Sequence, residues 1–74
     1  MKYIYDVADD DHGTVSVWET YSDAVDEMIK MAQDGNPNYI PVVVEGENEN
    51  AWCDTVEGEQ VRVERHKVGI SWGW

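Results

Sequence analysis

Apolar residues recur at helical spacing between positions 20 and 34, in the stretch TYSDAVDEMIKMAQD. The i, i+3, i+4, i+7 pattern that places side chains on one helix face is formed by Val25, Met28, Ile29 and Ala32, and Ala24 and Met31 widen this apolar stripe. Polar residues take the other face: Asp23, Asp26, Glu27, Lys30 and Gln33. Thr20 has the hydroxyl of an N-cap, and the run Gly35, Asn36, Pro37 ends the pattern. The sequence therefore predicts one amphipathic helix over 20–34.

Two segments with a period of two precede this helix. Residues 2–8, KYIYDVA, and 14–19, TVSVWE, both have the period of two that is typical of β-strands. The DDDHG segment between them contains Gly13, which readily adopts the positive φ of a tight turn. We therefore predict that the chain opens with an antiparallel hairpin.

Three further strands are predicted after the helix. The first is YIPVVVE (39–45), where Pro41 favours an edge position or the start of the strand because it has no N–H to donate. The segments AWCDTVE (51–57) and QVRVERHKV (60–68) flank Gly58 and form a second predicted hairpin. The tail GISWGW (69–74) is too short to assign.

The element order is thus ββαβββ, and residues 1–74 are predicted to form a single small acidic α+β domain with one helix packed on an antiparallel sheet. A chain of this length has room for one small core. The apolar helix face is expected to pack against sheet residues drawn from Tyr3, Tyr5, Val7, Val15, Val17, Val42, Val44, Val61 and Val63.

The first 30 residues resemble a group of short uncharacterised phage and bacterial proteins. In that group a hairpin leads to an aromatic residue, a capped helix follows, and an alanine lies near its start. Trp18, Thr20, Asp23 and Ala24 stand at those places here. The resemblance implies a hairpin–helix fold and a phage context, and it implies no activity.

Charge is the most unusual property of this sequence. Sixteen acidic residues against five basic ones give a net charge of −11. Residues 1–59 contain fifteen of the acids and only Lys2 and Lys30 as bases, whereas residues 60–74 contain Glu64 with Arg62, Arg65 and Lys67. The sequence therefore predicts a largely acidic surface and one short basic strand.

The side chains that could take part in catalysis do not form a recognised catalytic pattern. The candidates are His12, His66, Cys53, Ser16, Ser22 and Ser71, and no nucleophile elbow, phosphate-binding glycine loop or metal-spaced cluster surrounds any of them. Cys53 is expected to be a small buried residue. A calcium loop through Asp9–Asp11 fails because Ala8 and His12 occupy positions that require oxygen ligands. We predict no enzyme activity, no cofactor and no metal site.

A lone cysteine excludes an intramolecular disulfide, and the sequence contains neither a signal peptide nor an apolar run of membrane-spanning length. These features predict a soluble cytoplasmic protein, in the host cell if a phage encodes it.

The acidity itself suggests a function. In size, acidity and lack of catalytic motifs the chain is similar to phage inhibitors that mimic DNA and block restriction, CRISPR or DNA-repair enzymes. That similarity implies a decoy that binds a basic, nucleic-acid-binding protein surface and has no direct contact with nucleic acid or membrane. The expected partner-binding residues are Asp9, Asp10, Asp11, Asp23, Asp26, Glu27, Glu45, Glu47, Glu49, Trp52, Trp72 and Trp74.

Two alternatives remain open from the sequence. The domain could be a homo-oligomeric module that pairs its acidic face with the basic 60–68 strand of another copy. The acidity could also be an adaptation to high salt in a domain of unrelated role. The oligomeric state is not determined by the sequence.

Overall fold

The computed structural model describes residues 2–68 and has one helix packed on a five-stranded antiparallel sheet. The strands are β1 (Lys2–Asp9), β2 (Gly13–Trp18), β3 (Val44–Glu45), β4 (Ala51–Asp54) and β5 (Gln60–Val68), and the helix α1 (Tyr21–Gln33) lies between β2 and β3 in the chain. The predicted α+β class and the order ββαβββ are confirmed.

The strand order across the sheet is β2-β1-β5-β4-β3. Both predicted hairpins are present, β1 with β2 and β4 with β5, and β1 pairs with β5 from Lys2↔Val68 to Asp9↔Val61. The helix leaves the β2 edge, covers one face and returns the chain to the β3 edge. The other face of the sheet, called the outer face below, carries no helix.

The ends of α1 follow the predicted signals. The hydroxyl of Thr20 accepts a hydrogen bond from the Asp23 N–H at 3.2 Å, which satisfies one of the free donors of the first turn. At the other end Asp34 is left-handed and Gly35 has φ 81°, a conformation that glycine adopts without strain. No helix among the described residues has the length and apolar character needed to cross a membrane.

The buried stripe of α1 is rotated relative to the prediction. Ala24, Met28 and Ala32 are fully buried, while Val25 is partly buried against the core. Ile29 is half-buried and is not part of the core cluster, so its predicted central role was wrong. It stands about 100° round the helix from Met28. The two alanines flanking Met28 let the helix approach the sheet closely, and the stripe centres there.

The face of β2 that packs on the core is the opposite of the one predicted. Val15 and Val17 are 48% and 55% exposed, whereas Trp18 packs against the core. Trp18 pairs with Tyr5 and Ser16 pairs with Val7, and a bulge leaves Val15 without a partner in the ladder. The Trp18 indole N–H donates to the Ser16 hydroxyl at 2.9 Å. Burying one large ring with its polar group satisfied outweighs burying two valines.

The predicted strand 39–45 is reduced to Val44–Glu45. Pro41 is buried, Tyr39 and Val43 pack on the core, and Ile40 and Val42 are 82% and 80% exposed. Odd-numbered residues therefore face inward, and the expected burial of Val42 and Val44 was wrong. Side chains hold the segment instead of a ladder: the Tyr39 hydroxyl donates to the Asp54 carbonyl at 2.8 Å, and Gln33 donates to the Tyr39 carbonyl at 3.1 Å. Pro41 itself lies in no strand and precedes β3, which is the edge strand of the sheet.

We expect Met28→Ala to lower the free energy of unfolding by about 2–5 kcal/mol, because it removes a fully buried side chain from the centre of the core. Ile29→Ala, one residue further along the same helix, should cost less than half as much. Urea denaturation of both variants tests this. Equal losses would mean that the buried stripe of α1 includes Ile29 as the sequence suggested.

Candidate partner-binding surface

Three acidic segments meet at one end of the sheet. They are the β1–β2 turn, the β4–β5 turn and the C-terminal end of α1, and they enclose an open cleft of about 730 Å³. Five of its lining residues are acidic: Asp9, Asp11, Asp34, Glu57 and Glu59. Lys30 and His12 are the basic residues in the lining. We call this region the acidic cleft.

The β4–β5 turn is fixed to the helix. The Val56 N–H donates to the Ala32 carbonyl at 2.9 Å, which joins the turn to the last residues of α1. Within the turn, the Thr55 hydroxyl accepts from the N–H groups of Glu57 and Glu59 at 3.2 and 3.0 Å. Gly58 adopts φ 91° and allows the chain to reverse. The turn therefore presents both glutamates to the cleft.

Asp9 shapes the β1–β2 turn. Its carboxylate accepts the His12 N–H at 2.6 Å and lies 3.1 Å from the His12 Nδ1. The hydrogen bond from the His12 backbone lowers the pKa of Asp9, and the Asp9 carboxylate in turn raises the pKa of His12. Asp9 is a buried structural acid, and Asp10 forms an ion pair with Arg62 at 3.0 Å. Of the predicted Asp9–Asp11 run, Asp11 lines the cleft without an ion pair to a base within residues 2–68.

Two pairs of carboxyl groups lie close together in the acidic cleft. Contact with the Asp34 carboxyl raises the pKa of Glu57, and contact with the Asp11 carboxyl raises the pKa of Glu59. In each pair a hydrogen bond between the two carboxyl groups requires one of them to hold a proton, and the negative charge of the neighbour adds to this preference. The cleft therefore gathers carboxyl groups that favour protonation more than isolated glutamates do.

The acids predicted on the helix are separate from this cleft. Asp23 and Asp26 are exposed, whereas Glu27, next to buried Met28, is half-buried. They form a second acidic area near the middle and N-terminal part of the helix.

The acids of the 45–50 loop have structural partners. Glu49 accepts a hydrogen bond from the Tyr5 hydroxyl at 2.9 Å and pairs with Arg65 at 3.3 Å, and the Arg65 guanidinium lies 4.1 Å from the Tyr3 ring centroid. Glu45 accepts from the Tyr21 hydroxyl at 3.1 Å, and burial together with this bond raises the pKa of Tyr21 to about 12. Glu47 remains exposed. This loop closes the end of the core opposite the acidic cleft.

Trp52, the predicted tryptophan anchor that the structure describes, lies on a different face from the helix acids. Trp52 lies between buried Ala51 and Cys53 on β4, so its ring is on the outer face, 37% exposed and opposite Val44. It therefore cannot share a flat contact surface with the helix acids. Trp72 and Trp74 lie outside the described residues, as does Ser71.

Cys53 is 2% exposed, and burial raises the pKa of its thiol. A buried thiol with a raised pKa has little thiolate at neutral pH and is a poor nucleophile. The prediction that it is a small buried residue is confirmed.

Asp34, Glu57 and Glu59 are the cleft residues that sequence reasoning did not select. The sequence indicated their position only indirectly. Both hairpins were predicted, and their turns lie at the same end of the sheet when the first strand of one hairpin pairs antiparallel with the last strand of the other. That pairing, β1 with β5, was not part of the prediction.

Comparison of this chain with protein-family models, with curated proteins and with solved structures finds no match. The resemblance of residues 1–30 to the short phage and bacterial hairpin–helix proteins stays a prediction.

The acidic cleft makes stability depend on pH in a definite direction. Because the pKa values of Glu57 and Glu59 are raised by folding, the folded state binds protons more tightly there than the unfolded state does. Stability therefore falls as pH rises from the usual glutamate range through the raised values.

We expect the double substitution Glu57→Gln, Glu59→Gln to raise the urea midpoint at pH 7 and to have little effect near pH 4.

The matched control is Glu19→Gln, Glu47→Gln, which removes the same charge outside the cleft. Urea is chosen because guanidinium salts would screen the repulsion. Equal gains in the two double variants would contradict a specific repulsion in the cleft.

Proposed function

We propose that this protein is a small acidic inhibitor of phage type. It binds a basic surface of a host defence or DNA-processing protein, such as a restriction, CRISPR or repair enzyme, and so excludes nucleic acid. The observation that carries the proposal is the acidic cleft, where five acids from three segments surround one lysine and one histidine. This function places the protein in the host cytoplasm and requires no catalytic step.

The carboxyl pairs give the physical reason for this choice of surface. A hydrogen bond within each pair and the charge of the neighbouring carboxylate raise the pKa values of Glu57, beside Asp34, and Glu59, beside Asp11, and the members of each pair repel each other when both are ionised. Lysine and arginine side chains of a partner relieve that repulsion when they enter the cleft. Nucleic-acid-binding proteins carry such cationic surfaces because they neutralise phosphates. A carboxylate-lined cleft therefore competes for the same side chains as DNA or RNA.

The arginines of β5 support the choice of a protein partner. Arg62 is bound to Asp10 and Glu64, both at 3.0 Å, and Arg65 is bound to Glu49 at 3.3 Å. Two of the three basic residues of this strand are thus neutralised within the chain. They are poorly placed to contact phosphate, and equally poorly placed to receive the acidic face of a second copy.

Self-association is the second candidate function, and a different observation favours it. Ile40, Val42 and Val44 are 82%, 80% and 43% exposed, and Val44 pairs with Trp52 on the outer face. Such a row of exposed apolar side chains at a sheet edge is typical of a contact surface. Light scattering at increasing protein concentration, with Val42→Asp as the comparison, distinguishes an oligomer from a monomer.

The inhibitor function is tested by displacement of a labelled DNA duplex. A restriction endonuclease, a CRISPR effector and a repair enzyme are each bound to the duplex, and the protein is then added. We expect displacement from at least one of them and capture of that enzyme on immobilised protein. The double substitution Glu57→Lys, Glu59→Lys should lower the association rate by on the order of tenfold at low salt, and high salt should remove the difference.

Asp26→Lys, Glu27→Lys is the control, because it changes the net charge by the same amount on the helix. Circular dichroism of both variants checks that the fold is intact. If the helix variant loses binding and the cleft variant does not, the binding face is the helix surface predicted from the sequence. If neither variant changes the rate, the acids only solvate the protein, and the decoy function is wrong.

A further inference from the structure

Two carboxylates and an imidazole converge on the outer face of the sheet. Asp6 on β1 stands directly opposite Glu64 on β5, and His66 is two residues beyond Glu64 on the same face. The His66 Nε2 lies 2.9 Å from Asp6 Oδ2 and 3.9 Å from Glu64 Oε2. One ligand atom from each residue thus falls in a group whose members are all within 4.8 Å of one another.

These distances match the spacing of ligands around a metal ion. Nitrogen and oxygen ligands bind Zn²⁺ at about 2.0–2.1 Å, so ligand atoms at tetrahedral angles lie roughly 3.3 Å apart. The separations of 2.9 and 3.9 Å lie on either side of that value. For one ion to bind all three ligand atoms, their separations would have to converge on this common value from within the 4.8 Å that now contains them.

The two carboxylates are also held by neighbours outside the group. The Thr14 hydroxyl donates to Asp6 Oδ2 at 3.3 Å. The Arg62 Nε donates to Glu64 Oε1 at 3.0 Å, which leaves Oε2 as the oxygen nearer to His66. Hydrogen bonds of this kind to ligating carboxylates orient the ligands and tune their affinity at metal sites.

The burial of Asp6 is a second, independent observation. Its side chain is 14% exposed, and its Oδ1 is buried without a hydrogen-bond partner among residues 2–68. Like charges directly opposite each other on neighbouring strands destabilise a sheet. A buried acceptor without a partner carries a further desolvation cost. The His66 imidazole contacts Oδ2 and leaves Oδ1 unsatisfied, whereas a divalent ion held by both Asp6 oxygens would neutralise the pair of carboxylates and satisfy Oδ1.

We propose that Asp6, Glu64 and His66 bind a divalent first-row metal ion of the Zn²⁺ class. The imidazole ligand favours such ions over Mg²⁺ and Ca²⁺, which prefer oxygen ligands alone. Three protein ligands leave at least one coordination position open for water. The site is on the outer face and is independent of the acidic cleft, so neither proposal depends on the other.

A second histidine provides the matched control. His12 also contacts an aspartate, with its Nδ1 3.1 Å from Asp9 Oδ2. Within residues 2–68, however, Asp6, Glu64 and His66 are the one set of three residues whose ligand atoms lie close enough to share a metal ion. The Asp9–His12 pair should therefore bind no metal by itself.

Calorimetric titration with ZnCl₂ tests the proposal, at 0.15 M NaCl with excess Mg²⁺ to saturate non-specific acidic sites. We expect one Zn²⁺ per chain for the unaltered protein and for His12→Gln. His66→Gln should weaken the affinity by about 100-fold or more, and Thr14→Val by roughly tenfold. In the unaltered protein, Zn²⁺ should shift the NMR resonances of the His66 ring and leave those of His12 in place, a measurement that requires no variant to fold.

Equal Zn²⁺ affinities of His66→Gln and His12→Gln would overturn the proposal, and so would loss of binding in excess Mg²⁺. Unchanged His66 ring resonances at saturating Zn²⁺ would overturn it as well. Each of these results would mean that zinc only associates with the acidic surface at large.

Discussion

The pairing of β1 with β5 is the contact on which the rest of this structure depends. It joins the first and last described strands over eight residue pairs and links the two hairpins into one sheet. Pairing β1 with β5 closes the long segment of chain between them, and the core above these two strands must offset the entropic cost of that closure. Tyr5, Val7, Val61 and Val63 lie on their inner face beneath Met28 of the helix.

The same pairing brings together the two turns of the acidic cleft and the residues Asp6, Glu64 and His66. Because β1 and β5 are antiparallel, the turn after β1 and the turn before β5 lie at one end of the sheet, and the helix ends there too. Acids that are far apart in the sequence are thereby brought into one cleft. On the opposite face the same register places Asp6 beside Glu64 and His66. The backbone hydrogen bonds between β1 and β5 therefore bring together both the acidic cleft and the Asp6–Glu64–His66 group.

Local sequence patterns predicted the elements and the two hairpins of this fold, but not the pairing of β1 with β5. The helix caps, both hairpins and the bounds of β5 depend on neighbouring residues, and all of them are confirmed. The face of β2 was wrong because two valines and a tryptophan competed for the core, and alternation alone does not rank them. The 39–43 segment was misjudged because a run of apolar residues has no visible alternation, and buried Pro41 sets which residues face inward.

The candidate sites show the same division. Asp9–Asp11 were identified from the sequence because they are consecutive, whereas Glu57, Glu59 and Asp34 join them only through the β1–β5 register. The pair Asp6 and His66 is separated by 60 positions and had no local signal at all. Spacing rules for metal and catalytic sites work on ligands that share a turn or a helix, and they do not detect ligands contributed by two strands from opposite ends of a chain.

The two arginines of β5 form ion pairs with only some of the acidic residues. Arg62 and Arg65 neutralise Asp10, Glu64 and Glu49, all of which are acids next to the sheet. The acids of the helix and of the cleft receive no arginine from the described part of the chain, and four of the cleft carboxyls are arranged in pairs that repel. General adaptation to high salt favours acids that are evenly spaced and well solvated, because close carboxylates weaken the fold without improving hydration. Concentration of the repulsion in one cleft instead favours a surface whose charge is completed by a basic partner.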